Sequence, residues 1–225
     1  MNDKTLKQII KEELGIEDKP INESYVVQAK KYTLPTELLS DKNKKEHQEL
    51  LAKYVKSLNE ISTKLDTVDR GESNLNASEF RSLKIDEVYN LNASYLHALF
   101  FDNISDTRSV ITMDSLSFMR LERDFGSFDA WQKDFVACCL SARNGWAVTV
   151  YNTMLKRYMN IVIDLHHHNI PMGSYPIIVM DCWEHSYYRD YLSDRKTYVY
   201  GMMKELDWKE IDERFKKAEK IAKIG

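Results

Sequence analysis

The chain has 225 residues, of which 43% are hydrophobic and 30% are charged. This is the composition of an ordinary globular protein, and it excludes a chain that is disordered throughout. The formal net charge of −3 at pH 7 argues against a strongly basic nucleic-acid binder, and no apolar run approaches the ~20 residues of a membrane span. We therefore expect neither a nucleic acid nor a membrane as a partner.

Three cysteines bear on the cellular compartment: Cys138, Cys139 and Cys182. Their number is odd, two of them are adjacent, and all lie in apolar segments, which is not the pattern of a disulfide framework. The mixed-charge N-terminal sequence lacks the apolar segment of a secretory signal. We expect a soluble, intracellular protein of the cytoplasm or an organelle matrix, where thiols stay reduced.

Residues 1–31 are predicted to form an extension that precedes the main body of the protein. Apolar residues at helical spacing predict a short amphipathic helix in this extension: Leu6, Ile9, Ile10 and Leu14. Gly15 is the predicted end of that helix. The sequence YTLP at 32–35 marks the start of the main body.

Two long helices are predicted next, in a helical domain that spans residues 32–105. Residues 45–65 carry apolar side chains at the spacing of an amphipathic helix. Residues 69–80 are polar and rich in turn-forming residues, and they are predicted to be a loop. A second helix is predicted over 86–102, so that the two helices can pack as an antiparallel hairpin.

The remaining chain, residues 106–225, is predicted to be a domain of helices and strands. A helix begins near Ser127, with Asp129 in its first turn and Gly145 past its end. Segments rich in β-branched residues predict three strands: 146–151, 158–165 and 175–180. The first two strands favour a hairpin, and the C-terminal tail is predicted to be helical. This order of elements predicts an α+β fold in which an α-helical domain comes first.

One strand end carries residues suited to binding a metal ion. An apolar run ends in Asp181, and His185 follows after a predicted turn. A buried carboxylate is costly unless a positive charge compensates it, and a metal ion supplies that charge. His47 and His97 lie on or beside the apolar stripes of the two predicted helices, so a hairpin would bring them together. Three imidazoles and one carboxylate suit iron, manganese or zinc.

A simpler interpretation stays open for each histidine. A single histidine on an apolar helical face is more often a hydrogen-bonded core residue than a ligand. The three consecutive histidines at 166–168 fit a metal-binding tract, and they also fit a polar loop after a strand.

The sequence DCWEHSYYRDY at 181–191 resembles the D-x-W-E-H-A-Y-Y signature of iron/manganese superoxide dismutases. The D-x-W-E-H element is the specific part of this resemblance, which extends over most of residues 32–215 and leaves residues 1–31 outside. Other segments resemble the family's landmarks in the same order: YTLP (32–35), AKYVKSLN (52–59), HALFFDN (97–103), FGSF (125–128), NGWAV (144–148) and YVYGMMKELDWKEIDERF (198–215).

The resemblance implies a helical hairpin domain followed by an α/β domain with a three-stranded antiparallel sheet, in agreement with the predicted elements. It also implies one iron or manganese ion per subunit, held by three histidines and one aspartate with solvent as the fifth ligand. The matching motifs identify His97, Asp181 and His185 as ligands. The implied reaction converts superoxide to dioxygen and hydrogen peroxide as the metal cycles between its 3+ and 2+ states.

Four further residues match positions that surround the metal in the family. Tyr54 matches the gateway tyrosine, and His166 lies where some members place a histidine that hydrogen-bonds the metal-bound solvent. Both are candidate catalytic residues. Trp146 and Trp183 match aromatic walls of the site.

The resemblance also implies a homodimer. Glu184 matches the residue that reaches across the interface to His185 of the partner subunit, and Tyr187 matches an interface tyrosine. Arg195 matches a basic residue near the substrate funnel, where its charge would attract an anion.

The first ligand is where the sequence departs from the family's pattern. A histidine is expected eight residues before Tyr54, and that position holds Glu46, with His47 one residue later. Loss of one residue after His47, for instance from a π-bulge, would return His47 to the metal. Otherwise Glu46 is a carboxylate ligand, or the first ligand is lost. We favour His47, because Glu46 continues a solvated charge run and a second anion would penalise the 2+ state.

Three other departures bear on activity. Leu50 stands at the position of the family's gateway histidine, and Phe101 and Val148 stand where tryptophans are expected. The leucine removes a link in the path of protons and water toward the partner subunit.

Two functions therefore stay open: a superoxide dismutase, and a catalytically weak or inactive relative that uses the same fold for binding or structure. A zinc-dependent hydrolase ranks behind both, because no general base is evident. We favour the dismutase, because a structural protein has no reason to keep together polar residues that are costly in apolar segments: His97, Asp181, Glu184 and His185.

Overall fold

The structure, a computed structural model, describes residues 24–223. Within this range the elements follow in the order α1 (Asp41–Thr67), α2 (Glu79–Asn103), α3 (Leu116–Phe125), α4 (Phe128–Ser141), β1 (Gly145–Asn152), β2 (Arg157–Asp164), β3 (Ser174–Asp181), α5 (Glu184–Tyr191), α6 (Arg195–Met202) and α7 (Trp208–Ala222). The helix predicted between Leu6 and Leu14 lies outside the described residues. None of the described helices is long and apolar enough to cross a membrane.

Helices α1 and α2 both begin earlier than the sequence predicts. Ser40 and Ser78 cap them, because each side-chain oxygen accepts a backbone N–H of the first helical turn. The predicted loop over 69–80 is therefore two residues shorter, since α2 begins at Glu79. A serine cap satisfies a backbone donor that the helix itself leaves without a partner, so it fixes where the helix starts.

The two helices pack as the predicted antiparallel hairpin. Near the start of α1, the ring of His47 lies 5.1 Å from the ring of His97 near the end of α2. At the other end of the pair, Leu65 of α1 packs in one apolar cluster with Leu83 of α2. The antiparallel packing is what brings the two histidines to the same end of the hairpin.

An extended segment, residues 24–39, leads into α1 and is attached to it. The backbone N–H of Tyr25 donates to Ser62 Oγ over 2.6 Å. The Asn59 side chain accepts from the N–H of Val27 at 2.8 Å and donates to its carbonyl at 2.9 Å. The part of the predicted extension that the structure describes is therefore bound along the hairpin. The domain boundaries after residues 31 and 105 stay predictions.

The three strands form one antiparallel sheet in the order β2-β1-β3. The predicted hairpin of β1 and β2 is confirmed, and the central strand β1 is buried along its whole length. Trp146 of β1 lies opposite Ile163 of β2 and opposite Asp181 of β3. The register therefore places an indole beside the carboxylate at the end of β3. The α+β fold with a three-stranded antiparallel sheet is confirmed.

Two details before the sheet differ from the sequence prediction. Helix α4 begins after Ser127 as predicted and ends at Ser141 with Ala142 as its cap; Gly145 lies past its end, but as the first residue of β1 rather than as the end of the helix. Helix α3 was not predicted at all. It has only ten residues, fewer than the window in which helical spacing is distinctive, although Leu121 is buried and Leu116 and Phe125 pack against the core.

A buried arginine ties the elements that carry the site to each other. Arg214 of α7 donates to the carbonyl of Leu99 at 3.0 Å in α2 and to the carbonyl of Ile177 at 3.1 Å in β3. It also donates to the side chain of Asn103 at the end of α2. Because buried carbonyls need donors, these bonds fix the position of α2 relative to β3.

We expect the replacement Gly145→Ala to lower the free energy of unfolding by at least about 2 kcal/mol, because overpacking against rigid backbone cannot relax. A Cβ at Gly145 would lie 1.9 Å from the carbonyl oxygen of Ile163, which is backbone of the paired strand. The matched control is Gly201→Ala, where the new Cβ would meet only the mobile tip of Leu38. Urea denaturation of both variants measures the difference, and equal midpoints would contradict the expectation.

Candidate metal centre

Four side chains from four elements converge at one end of the helical hairpin: His47, His97, Asp181 and His185. One ligand atom from each lies within 4.8 Å of the others. Asp181 Oδ2 lies 3.1 Å from Nε2 of His47 and 3.2 Å from Nε2 of His185. The same oxygen lies 3.7 Å from Nε2 of His97. The structure thus brings together the four residues that the sequence predicts as ligands.

His185 reaches the cluster from a helix, whereas the sequence predicted a turn. Helix α5 begins at Glu184 directly after Trp183, so His185 sits in its first turn. The strand β3 therefore positions the carboxylate of Asp181, and the helix α5 positions the imidazole of His185. Three of the four side chains are buried, and His185 keeps 26% of its side chain exposed.

Hydrogen bonds outside the cluster set which atoms point into it. His97 Nδ1 lies 2.6 Å from the carbonyl of Ala93, which can only accept, so Nδ1 carries the proton and Nε2 presents a lone pair to the cluster. Asp181 Oδ1 accepts the backbone N–H of Trp183 at 2.9 Å, which leaves Oδ2 facing the imidazoles. Both arrangements orient a donor atom toward the same point.

The electrostatics of the cluster favour the protonation states that bind metals. Burial lowers the pKa of His47 and lowers that of His97 further, so both imidazoles are neutral at pH 7. Burial by itself would raise the pKa of Asp181, but the electrostatic interaction with His185 and the hydrogen bonds with His185 and His47 hold it far below its usual value. Neutral imidazoles and an ionised carboxylate are the ligand forms that iron and manganese require, so this donor set fits either metal.

Of the two candidates for the first ligand, His47 faces the cluster and Glu46 faces solvent. The carboxylate of Glu46 is paired with Arg189 at the surface. Successive residues of an α-helix point about 100° apart, so only one of two neighbours can face the cluster. Phe101 packs edge-on against the ring of His47 at 4.8 Å, so it closes the wall where a tryptophan was expected.

The two candidate catalytic residues belong to one chain of hydrogen bonds. Trp146 Nε1–H donates to His166 Nδ1 at 3.0 Å, so the proton of a neutral His166 resides on Nε2. His166 Nε2 lies 3.1 Å from the hydroxyl oxygen of Tyr54 and donates to it. Burial lowers the pKa of His166 to about 4, which keeps the ring neutral at pH 7. Both ring nitrogens of His166 are thus engaged, and the predicted bond from His166 to metal-bound solvent stays a prediction that requires Nε2–H to be shared with it or to leave Tyr54.

The two predicted wall tryptophans both contact the cluster. Trp146 lies edge-on to His97 with 4.8 Å between ring centroids. Trp183 stacks on His166 at 4.8 Å and on His185 at 5.6 Å. Rigid aromatic side chains therefore surround the donor atoms and limit access of water to them.

A cavity of about 870 Å³ opens beside the cluster. Leu50 contributes to its wall, at the position where the resemblance places a gateway histidine. Lys53 and Arg189 bring positive charge to the wall, but Glu46, Glu49 and Glu184 also line it and Arg189 is paired with Glu46, so the cavity has no excess of positive charge. Other residues of the wall are His47 and His185.

Tyr187 and Arg195 interact with each other near this region. Arg195 Nε donates to the Tyr187 hydroxyl at 3.2 Å, and its other guanidinium nitrogens donate to the carbonyls of Ala142 and Arg143. Arg195 therefore joins α6 to the end of α4. Its predicted role at the substrate funnel and the predicted role of Tyr187 in a dimer stay predictions.

Sequence reasoning missed two tyrosines that contact the site. The Tyr198 hydroxyl donates to the carbonyl of Asp181 at 2.9 Å and so supports the end of β3. Tyr89 lies against Tyr54 and His166, with ring centroids 6.3 and 4.7 Å away. Tyr89 stands eight residues before His97 in α2, but its contact with Tyr54 of α1 depends on how the two helices pack, so no local pattern identifies it.

The buried histidines predict how the stability of the metal-free protein depends on pH. Free histidine has a pKa near 6.5, and that of His166 is lowered to about 4, so between these values the unfolded chain binds a proton that the folded chain does not. Stability is therefore complete above the unfolded pKa and falls as the pH drops through this window, by about 3 kcal/mol for His166. Urea unfolding between these limits should show a shallower decline in His166→Gln than in wild type. Parallel declines would contradict the expectation.

Comparison with known proteins identifies the family. Residues 116–214 match the family model described as iron/manganese superoxide dismutases, C-terminal domain. The chain is 34% identical to the superoxide dismutase [Fe] of Aquifex aeolicus over 170 residues, which cover 74% of this chain and 79% of that protein.

Manganese-dependent relatives show similar identity. The superoxide dismutase [Mn] 1 of Halobacterium salinarum is 37% identical over 133 residues, or 59% of this chain and 66% of that protein. The superoxide dismutase [Mn] 2 of Haloferax volcanii is 34% identical over 150 residues, or 67% of this chain and 72% of that protein. These matches agree with the converging imidazoles and carboxylate, and the chain belongs to the iron/manganese superoxide dismutase family.

Proposed function

We propose that this protein catalyses the dismutation of superoxide, in which two superoxide ions and two protons give dioxygen and hydrogen peroxide. One iron or manganese ion per subunit, when bound, would accept an electron from one superoxide and return it to the next. The observation that supports this function best is the convergence of three imidazole nitrogens and one carboxylate oxygen within 4.8 Å. The same cluster would cost stability if it had no ligand to bind.

The proposed ligands are Nε2 of three histidines and one carboxylate oxygen: His47, His97, His185 and Asp181 Oδ2. Neutral imidazoles can hold both oxidation states, and the single negative charge of Asp181 favours the higher one without forbidding the lower. The cavity beside His185 gives a small anion a route to the cluster.

Tyr54 and His166 are proposed to control protons at the site. His166 Nε2–H donates to the Tyr54 hydroxyl at 3.1 Å, so the phenol is held in a fixed orientation next to the ring of His97, 5.3 Å away. Burial, reinforced by the interaction with Tyr89, raises the pKa of Tyr54, so its hydroxyl remains protonated at pH 7. Tyr54 is therefore a phenol that still carries its proton and can act as a proton donor at the site.

We also propose a homodimer in which Glu184 reaches His185 of the partner subunit. His185 uses Nε2 for its contacts in the cluster, so Nδ1 lies on the opposite edge of the ring. Glu184 is exposed and lines the same cavity as His185. Tyr187, which packs beside them in α5, is the proposed interface tyrosine. The expectation of a soluble, intracellular protein stays a prediction.

The proposed function is tested by assaying superoxide decay with protein loaded with iron and, separately, with manganese. Metal-free protein is the control for dismutation by trace metal in the buffer. We expect catalytic decay with at least one metal and none without metal. Stoichiometric loading with no catalysis by either metal would contradict the proposal. It would favour the alternative of a catalytically inactive relative with the same fold, which no feature of residues 24–223 supports.

A further inference from the structure

The hydroxyl of Tyr54 needs an acceptor for its own proton. Its oxygen accepts from His166 Nε2 at 3.1 Å, so its O–H bond must point elsewhere. One turn earlier in α1, Leu50 stands in place of a polar residue, and its aliphatic side chain can neither donate nor accept. Tyr54 is partly buried, and a hydroxyl proton without an acceptor there would cost up to about 1–3 kcal/mol, so we expect a partner among its neighbours.

Tyr89 of α2 is held in the position that such a partner needs. Its ring lies edge-on to Tyr54 at 6.3 Å and edge-on to His166 at 4.7 Å. On its other side His167 packs edge-on at 5.5 Å. The ring is therefore clamped between two imidazoles, while Tyr89 as a whole is only partly buried and so connects the site to the surface.

We propose that Tyr54 donates its hydroxyl proton to the oxygen of Tyr89, and that Tyr89 is a positioning residue for Tyr54 in dismutation. The hydrogen bonds then run in one direction, from Trp146 to His166 to Tyr54 to Tyr89. Because Tyr89 is partly exposed, this chain links the metal site to solvent along α2, on a side that does not require a gateway histidine at Leu50.

The electrostatics of Tyr89 agree with this direction. Burial raises the pKa of Tyr89, and the hydrogen bond with Tyr54 opposes that rise, which is the sign expected of an acceptor.

The first test observes the hydrogen bond without using activity. The full chain is loaded with Zn²⁺, which is diamagnetic and accepts histidine and carboxylate ligands, and the hydroxyl protons of labelled tyrosines are followed by NMR. Tyr89→Phe keeps the ring and removes the acceptor, so the Tyr54 hydroxyl proton should shift and exchange faster with water. Tyr95→Phe is the matched control, since it removes a half-exposed phenol from the same helix, six residues further on.

The second test uses the loaded enzyme and rests on the proposed function. Loss of one hydrogen bond should lower the maximal rate of Tyr89→Phe about 3- to 10-fold, with a larger solvent deuterium isotope effect and unchanged metal content. Tyr95→Phe should match wild type in all three. If Tyr89→Phe matches Tyr95→Phe in the Tyr54 signal and in the isotope effect, the proposal is wrong. An inactive loaded wild type with the predicted NMR change would contradict only the proposed function.

Discussion

Replacing His47 by alanine is expected to lower the affinity for iron or manganese by at least about 100-fold, since loss of a residue that merely orients a ligand already costs about 10- to 100-fold. Dismutation should fall at least as far. The physical reason is the position of Nε2 of His47, which lies 3.1 Å from Asp181 Oδ2 inside the cluster. Metal content by plasma mass spectrometry and superoxide decay on the same sample measure both effects.

Glu46→Gln is the matched control for this variant. It changes the neighbouring residue of the same helix and removes only a surface ion pair with Arg189. Exposed ion pairs contribute about 0–1 kcal/mol, so stability, metal content and activity should stay close to wild type. If Glu46→Gln lost the metal and His47→Ala kept it, the assignment of the first ligand would be reversed.

Asp181→Asn is expected to lower metal affinity by at least about 100-fold as well, because it removes the one anion among the four proposed ligands. The amide keeps the shape of the side chain and an oxygen that can accept the N–H of Trp183. In the wild type, the negative charge of the Asp181 carboxylate stabilises a 3+ ion more than a 2+ ion. Without that charge, any metal that remains bound should be harder to oxidise. Metal content and the reduction potential of the remaining metal measure these two effects.

The control for Asp181→Asn is Asp164→Asn. Each aspartate is the last residue of a strand, but the carboxylate of Asp164 accepts from the side chain of Asn169 at 3.3 Å and is not part of the histidine cluster. Asp164→Asn should therefore bind metal and turn over as wild type does. Equal losses in the two variants would show that strand ends, rather than the charge at Asp181, account for the effect.

Local patterns in the sequence predict most of the fold because helices and strands bury their apolar residues with different periods. The hairpin of α1 and α2 and the three strands follow from those periods. Helix α3 escapes prediction because it has only ten residues, too few for the helical spacing of its apolar side chains to be distinctive. The starts of α1 and α2 depend on single serine caps, Ser40 and Ser78, which many serines in a sequence could supply.

The sequence predicts the site residues that belong to a specific motif, but it does not predict those whose position depends on the register of a helix. Asp181 and His185 follow from their motif, whereas the choice between Glu46 and His47 depends on which of two adjacent residues faces inward. One residue of register rotates a helical side chain by about 100°, and only packing against α2 resolves it. Tyr89 escapes for the same reason, because its contact with Tyr54 depends on how α1 and α2 pack.

The most direct test of this account is a crystal structure of the metal-loaded protein with anomalous data at the iron or manganese edge. We predict one anomalous peak per chain, about 2.0–2.3 Å from the four donor atoms, as for comparable metal–nitrogen and metal–oxygen bonds. Those atoms are Nε2 of three histidines and one carboxylate oxygen: His47, His97, His185 and Asp181 Oδ2. A peak bound by Glu46 in place of His47, or a fully loaded protein with its metal at another site, would contradict the account.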